Sequence, residues 1–287
     1  MSKAARFFFW ISLAFLILLI ASAIFAPVVA PHDPTDQMLD KRFLKPGAPD
    51  HLLGTDSFGR DVLSRIIYGS RSALLVGLVT VSISLGLGLI FGLVAGLSEG
   101  LVDNIVMLSM DALLSFPTVL LAITVVTFLG YGLLQVMLAM GVIFSPVFAR
   151  LVRAETLSIK HEGYVESSRA LGTPIVKGVL LHFLPNMSRK IIVQSAVIFA
   201  SSVVIESSLS YLGLGTQPPD PSWGLMLKDA RNYLLHSPHL AILPGLAIGC
   251  TVLAFNILGD TISDMIADVP TQNRKSLPRR RMRSQPF

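Results

Sequence analysis

Asp111, Glu206 and Asn256 fall within or near long apolar runs, and their side chains are the first candidates for chemistry in this chain. An ionisable group among apolar residues is costly, so it usually faces a partner or a water-filled path. Glu206 stands near the end of its run. There it either approaches such a path or tethers the polar turn at 207–215. Asp111 precedes Ser115-Phe116-Pro117, where a proline breaks or kinks a helix, and this favours a structural role. Asp111 paired with Asp260 would be the carboxylate couple of an intramembrane hydrolase, sharing a proton to activate water. The two sit at different depths in their runs, which argues against that chemistry. Asp260 and Asp264 are expected to serve the membrane interface. Protons carried by Asp111 or Glu206 would make the chain an ion-coupled secondary transporter, but the inverted repeat common in such folds is not visible. The chain has no GxxxxGK[ST] phosphate loop and no HExxH pair. Cys250 is the only cysteine, which excludes an intrachain disulfide and a cysteine metal cluster. The six histidines are scattered, with His161, His182 and His236 expected in loops. No catalytic residue, metal site or cofactor is therefore expected in the chain itself.

The elements that must position these groups are apolar. Of 287 residues, 52% are hydrophobic, and the mean hydropathy is +0.67. A soluble domain needs polar residues to cover its surface and does not carry that excess. Six runs are long enough to cross a bilayer: 7–30, 72–97, 102–129, 133–151, 191–214 and 240–262. The first run is longer than the apolar core of a signal peptide and reads as an uncleaved anchor helix over 1–30. Lys and Arg are concentrated in the segments that an N-inside, C-inside topology leaves in the cytoplasm, although Arg60, Arg65 and Arg71 fall in the first outer segment. The expected organisation is all-α and polytopic, with six transmembrane helices. An anchor over 1–30 is followed by an external loop over 31–71, a membrane core over 72–265 and a basic cytoplasmic tail over 266–287. The net charge of +5 comes largely from that tail, which reads as lying on anionic lipid rather than on nucleic acid. Within 31–71, Val62, Leu63, Ile66 and Ile67 share one helical face, and Arg60, Asp61, Ser64 and Arg65 share another. That pattern predicts an amphipathic helix along the outer membrane face. Gly88, Gly92 and Gly96 in the second run, and Gly245 and Gly249 in the last, are spaced for close helix packing within the bundle or at a subunit interface.

One connection is too long and too patterned for a membrane turn. In EGYVESSRALGTPIVKGVLLHFLP, residues 162–185, Gly172 suits the end of a short helix, Thr173 an N-cap and Pro174 the first position of the next. Ile175, Val176, Val179, Leu180, Phe183 and Leu184 then form one apolar stripe, expected to bury against the bundle, and Pro185 is expected to stop the helix. Glu162, Glu166 and Arg169 are expected to face outward from the first helix.

Glu166-Ser167-Ser168, three residues, Gly172 and then Leu184-Pro185 resemble the EAA loop of ABC-importer permeases. Serines replace both alanines of that pattern, and His182 stands at its distal isoleucine position. Three more segments resemble the oligopeptide/dipeptide/nickel permeases, in particular their C-type subunits. They are Gly54-Thr55-Asp56 with Gly59-Arg60-Asp61 and Ser64-Arg65, then Leu209–Gly215 with Pro218-Pro219 and Pro221-Ser222-Trp223-Gly224, and finally Ala254–Asp260. The resemblance implies one half of a heterodimeric path in the bacterial inner membrane. It further implies a second, related permease, two cytoplasmic ATPases that bind ATP and Mg, and an extracytoplasmic substrate-binding protein. The loop over 158–190 would supply the coupling helix through Glu162, Tyr164, Glu166, Ser167, Ser168, Arg169, Gly172 and Pro185, with Glu166 meeting a basic residue of the ATPase. Peptides, nickel chelates and other small solutes share this framework.

Overall fold

The computed structural model describes residues 3–98 and 100–267; the basic tail from 268 onward lies outside the described residues, as do the side chains of 3–5, 169 and 264–267. The described residues form helices joined by turns, with two isolated β-bridges in the first loop. The helices longer than one turn are α1 (Lys3–Ile24), α2 (Val62–Leu97), α3 (Leu101–Leu114), α4 (Thr118–Leu129), α5 (Leu133–Lys160), α6 (Gly163–Ala170), α7 (Ile175–Leu212), α8 (Trp223–Ala230) and α9 (His239–Ala267). Five are long and apolar enough to cross a membrane. The pair α3–α4 makes a sixth pass if counted as one span, bent by 91°. The bend falls at Ser115-Phe116-Pro117, where proline lacks the N–H that would continue the helix.

Glycine sets the closest approach in the bundle. A Cβ on Gly88 would lie 2.2 Å from the Cβ of Phe148, one on Gly92 2.6 Å from the carbonyl oxygen of Ala149, and one on Gly96 2.6 Å from the Cβ of Thr156. Contact positions rise together on both helices, so α2 and α5 run parallel, as alternate passes must. Lipid is as apolar as leucine, so this contact is held by backbone proximity and dispersion rather than by the hydrophobic effect. Gly245 and Gly249 have nothing within 4 Å of an added Cβ and face away from the bundle. Gly92→Leu is accordingly expected to destabilise the purified chain by about 1–3 kcal/mol or more, whereas Gly245→Leu should be nearly neutral. Paired thermal unfolding of the two variants checks this, and equal shifts would refute the assignment of the α2–α5 contact.

Two ion pairs fasten α3 to α5. Arg153 grips Asp103 with both Nε (2.5 Å) and Nη2 (2.6 Å), and Arg150 Nη2 donates to Asp111 at 2.6 Å. Asp111 is therefore paired with a cation on the neighbouring helix. At 51% exposure, that pair contributes little to stability. Asp260, its imagined hydrolytic partner, is exposed. α1 packs through Leu16, Leu19 and Ala23, and Arg71 of α2 donates from Nε to the Ala23 carbonyl and from Nη2 to that of Ile24. Two of the orphan carbonyls at the end of α1 are thereby satisfied.

The segment after residue 60 departs from expectation. α2 starts at Val62 and continues unbroken to Leu97, so no separate amphipathic helix lies along a membrane face. Its polar face, Arg60, Asp61, Ser64 and Arg65, is buried under the preceding loop. The periodicity was genuine, but the polar stripe binds protein rather than water.

Candidate functional site

At one end of the bundle, α6 and the start of α7 form an elbow. Gly172 turns it, with φ +79°, a conformation that a residue bearing a Cβ adopts at a cost. The Leu171 N–H bonds the Ser167 carbonyl and the Thr173 N–H that of Ser168, both at 3.1 Å, which closes the end of α6. Val165 and Phe183 are buried and anchor the elbow in a core with Phe148, Val152 and Met187. Ser167 Oγ donates to the Gly163 carbonyl, and Asn186 Nδ2 donates to the Tyr164 hydroxyl at 3.1 Å. Burial and the nearby Glu162 charge push the Tyr164 hydroxyl above its ordinary pKa. Glu162 and Glu166 are exposed; the Arg169 side chain lies outside the described ones.

Two sequence expectations fail here. Pro185 does not stop the helix, and α7 runs through it to Leu212. A π-turn over Val179–Phe183 precedes the proline, and the Leu184 N–H reaches back five residues to the Val179 carbonyl. The widened turn lets the helix pass a residue with no N–H to give. The apolar stripe is also mostly uncovered. Only Phe183 is buried, with Val179 and Leu184 partly so, while Ile175 (68% exposed), Val176 (71%) and Leu180 stand free. Leu171 (87%) and Leu181 join them in an apolar crest. The two departures from the permease pattern meet in space: His182 Nε2 lies 3.2 Å from Ser168 Oγ, which donates to Thr173 Oγ1 at 2.9 Å. Either substitution alone would leave a polar group without this partner.

The opposite end is a polar knot. Asp56 accepts from the N–H groups of Phe58 (2.8 Å) and Arg60 (3.0 Å) and from Arg60 Nε (2.6 Å). Arg60 Nη2 continues to Asp229 on α8 at 2.8 Å, and Arg65 Nη1 donates to the Pro34 carbonyl. Gly59, with φ +77°, passes so near Met38 that a Cβ would sit 1.8 Å from its carbonyl oxygen. Ser222 caps α8, and Trp223 is buried, donating from Nε1 to the Ile66 carbonyl at 3.0 Å. Arg60 with Asp229, and Ile66 with Trp223, thus make a clasp that joins the first loop and the start of α2 to α8. The Arg60–Asp229 pair, 169 residues apart, has no local signal in the sequence.

Glu206 belongs to the same end. It is buried, and Ser210 Oγ donates to it at 2.6 Å and Thr216 Oγ1 at 3.3 Å. Ser210 Oγ in turn accepts the Thr216 N–H at 3.0 Å. Glu206 therefore ties down the turn that follows α7, one of the two roles its position suggested. Asn256 is half-buried on α9 and joins neither group, and Asp111 is remote from both in contacts, held by Arg150.

Five apolar spans, or six with the bent pair α3–α4, and one elbow presenting a bare apolar crest between charged residues define a multi-pass membrane transport subunit. The chain belongs to the family of binding-protein-dependent transport system inner membrane components, whose model matches residues 88–268; the N-terminal TM domain of oligopeptide transport permease C matches residues 8–46. It is 40% identical over 259 residues to the di/tripeptide transport system permease protein DppC of Pseudomonas aeruginosa (strain UCBPP-PA14), covering 88% of this chain and 86% of that one. It is 43% identical over 253 residues to the glutathione transport system permease protein GsiD of Escherichia coli O157:H7, covering 88% and 83%. Among solved structures, the inward-facing MetNI methionine ABC transporter matches at TM-score 0.57 with 16% identity, over 70% of this chain and 96% of that one. An amino acid ABC transporter with histidines matches at TM-score 0.55 with 15% identity, over 71% and 94%. These two establish a shared fold. The chain is an ABC-importer permease subunit, a multi-pass protein of the bacterial inner membrane.

Proposed function

We propose that this permease carries small peptides, of the di- and tripeptide or glutathione class named for its relatives, and that its elbow receives the stroke of a partner ATPase. The uncovered crest of Leu171, Ile175, Val176, Leu180 and Leu181 carries the reading. A soluble-facing surface rarely leaves such a patch bare unless a partner covers it. Glu162, Tyr164, Glu166, Ser167 and Ser168 flank the crest, Gly172 sets its angle, and the passage through Pro185 makes the elbow one piece with span α7. A push on the crest is thereby delivered along a continuous helix. ATP and Mg belong to the ATPases, and this chain supplies no hydrolytic group. A second, related permease completes the path, and an extracytoplasmic binding protein delivers the solute. Glu206 holds the turn at the mouth of that path, and Asn256 and Asp111 are the remaining polar candidates for its wall.

The assignment needs the elbow inside and the 31–61 loop outside. Phe58 is the exposed position in the 56–60 turn, where Ser57 is buried, so the label is placed there. Phe58→Cys in a Cys250→Ala background is expected to react with an impermeant maleimide on intact cells after outer-membrane permeabilisation. Reaction only after the inner membrane is opened would invert the topology. Uptake of labelled di- and tripeptides in proteoliposomes of the full complex, with and without ATP, tests the function itself. ATP-independent uptake would refute it.

A further inference from the structure

The fold gathers three residues that the chain scatters across 32, 51 and 61. His51 Nδ1 lies 3.0 Å from Asp61 Oδ1, and His32 Nδ1 lies 3.8 Å from the same oxygen. The two rings stack with centroids 4.6 Å apart. One ligand atom from each residue falls within 4.8 Å of the others. His51 and Asp61 are each 1% exposed. Asp61 Oδ2 is committed to the Ser64 N–H at 2.8 Å and Oγ at 2.9 Å, which leaves Oδ1 for the two rings. Backbone also holds the arrangement, because the His32 N–H donates to Ser64 Oγ at 3.1 Å and Asp61 caps α2.

The hydrogen-bond inventory of this cluster is incomplete. His32 Nδ1 and His51 Nε2 are buried without a hydrogen-bond partner. A separation of 3.8 Å is too long for a hydrogen bond from His32 to Asp61. Buried polar atoms are otherwise almost always satisfied, so the orphaned His32 Nδ1, 3.8 Å from Asp61 Oδ1, calls for a missing group between them.

We propose that His32, His51 and Asp61 bind one borderline divalent cation, zinc foremost, with water in the fourth position. Bonds of about 2.0–2.1 Å in a tetrahedron put ligand atoms about 3.3 Å apart, and the observed 3.0 and 3.8 Å bracket that spacing. Two imidazoles and one carboxylate suit zinc and its transition-metal neighbours, whereas calcium and magnesium require more oxygen donors. Each ring coordinates through Nδ1 and carries its proton on Nε2, which on His51 has no hydrogen-bond partner. The ion joins residues 32 and 51 to the first turn of α2, so its role is to hold the loop on the bundle. The reading is independent of which solute is transported.

The test uses the full chain purified through a tag without histidines, stripped with a chelator and dialysed against zinc. The wild type is expected to retain about one zinc ion per chain. Cobalt(II) should give the intense visible absorption of a tetrahedral site in its place. His32→Ala, which leaves the His51–Asp61 contact in place, should weaken zinc binding at least about tenfold. Its zinc-free thermal unfolding should match that of the wild type. His32→Gln serves if the alanine variant does not fold. His236→Ala with His239→Ala should bind zinc as the wild type does. A wild type that holds no zinc, or a His32 variant that holds as much as the wild type, overturns the proposal.

Discussion

Gly172→Val is expected to leave ATP hydrolysis by the assembled importer near its wild-type rate and to lower peptide uptake by about tenfold or more. The expectation rests on backbone alone. Gly172 has φ +79°, and nothing lies within 4 Å of an added Cβ, so valine would meet no clash. It would meet the left-handed penalty, about 1–2 kcal/mol for an ordinary L-residue and more for a β-branched one. The elbow relieves that strain by opening, which swings the crest of Ile175, Val176 and Leu180 away from the place where an ATPase would hold it. Gly172→Asn is the control, since asparagine tolerates this conformation, and its uptake should stay close to wild type. Co-purification of the ATPases separates lost coupling from lost assembly. Full uptake by the valine variant in an intact complex would remove Gly172 from the transmission path.

The second large effect is on stability. Asp56→Ala is expected to lower the unfolding free energy by about 3–5 kcal/mol, because it breaks a buried pair and leaves its cations behind. Arg60 would keep only Asp229, and Arg65, whose Nε lies 3.7 Å from Asp56, would lose its nearest carboxylate. The N–H groups of Phe58 and Arg60 would lose their acceptor as well. Asp111→Ala is the matched comparison. It also removes an aspartate–arginine pair, but one half open to its surroundings, and should cost less than about 1 kcal/mol. Thermal unfolding of the two purified variants reads the difference. Equal shifts would mean that the clasp between the first loop and α8 does not hold that end together.

Much of this was legible along the chain because its causes are local. A run of apolar residues is a span wherever it folds, proline at 117 interrupts a helix through its own missing N–H, and glycine at 172 marks a corner through its own missing Cβ. The motifs that resembled permeases pointed to the family on the same footing. Their residues recur in one order, whatever they touch.

Tertiary structure decided the rest. Periodicity states that Ile175, Val176 and Leu180 share a face with Phe183, but not which way that face points, and most of it turns outward. The polar stripe of Arg60, Asp61, Ser64 and Arg65 has the pattern of a water-facing surface, yet it is buried, because its partners Pro34 and Asp229 arrive from distant parts of the chain. Pro185 looked like a stop, and a π-turn one step earlier carried the helix past it. His182 and Ser168, two separate departures from a pattern, proved to be one contact, and His32, His51 and Asp61 became a cluster. Sequence determines what each residue can offer a neighbour, while the neighbour itself is chosen by contacts between segments far apart in the chain.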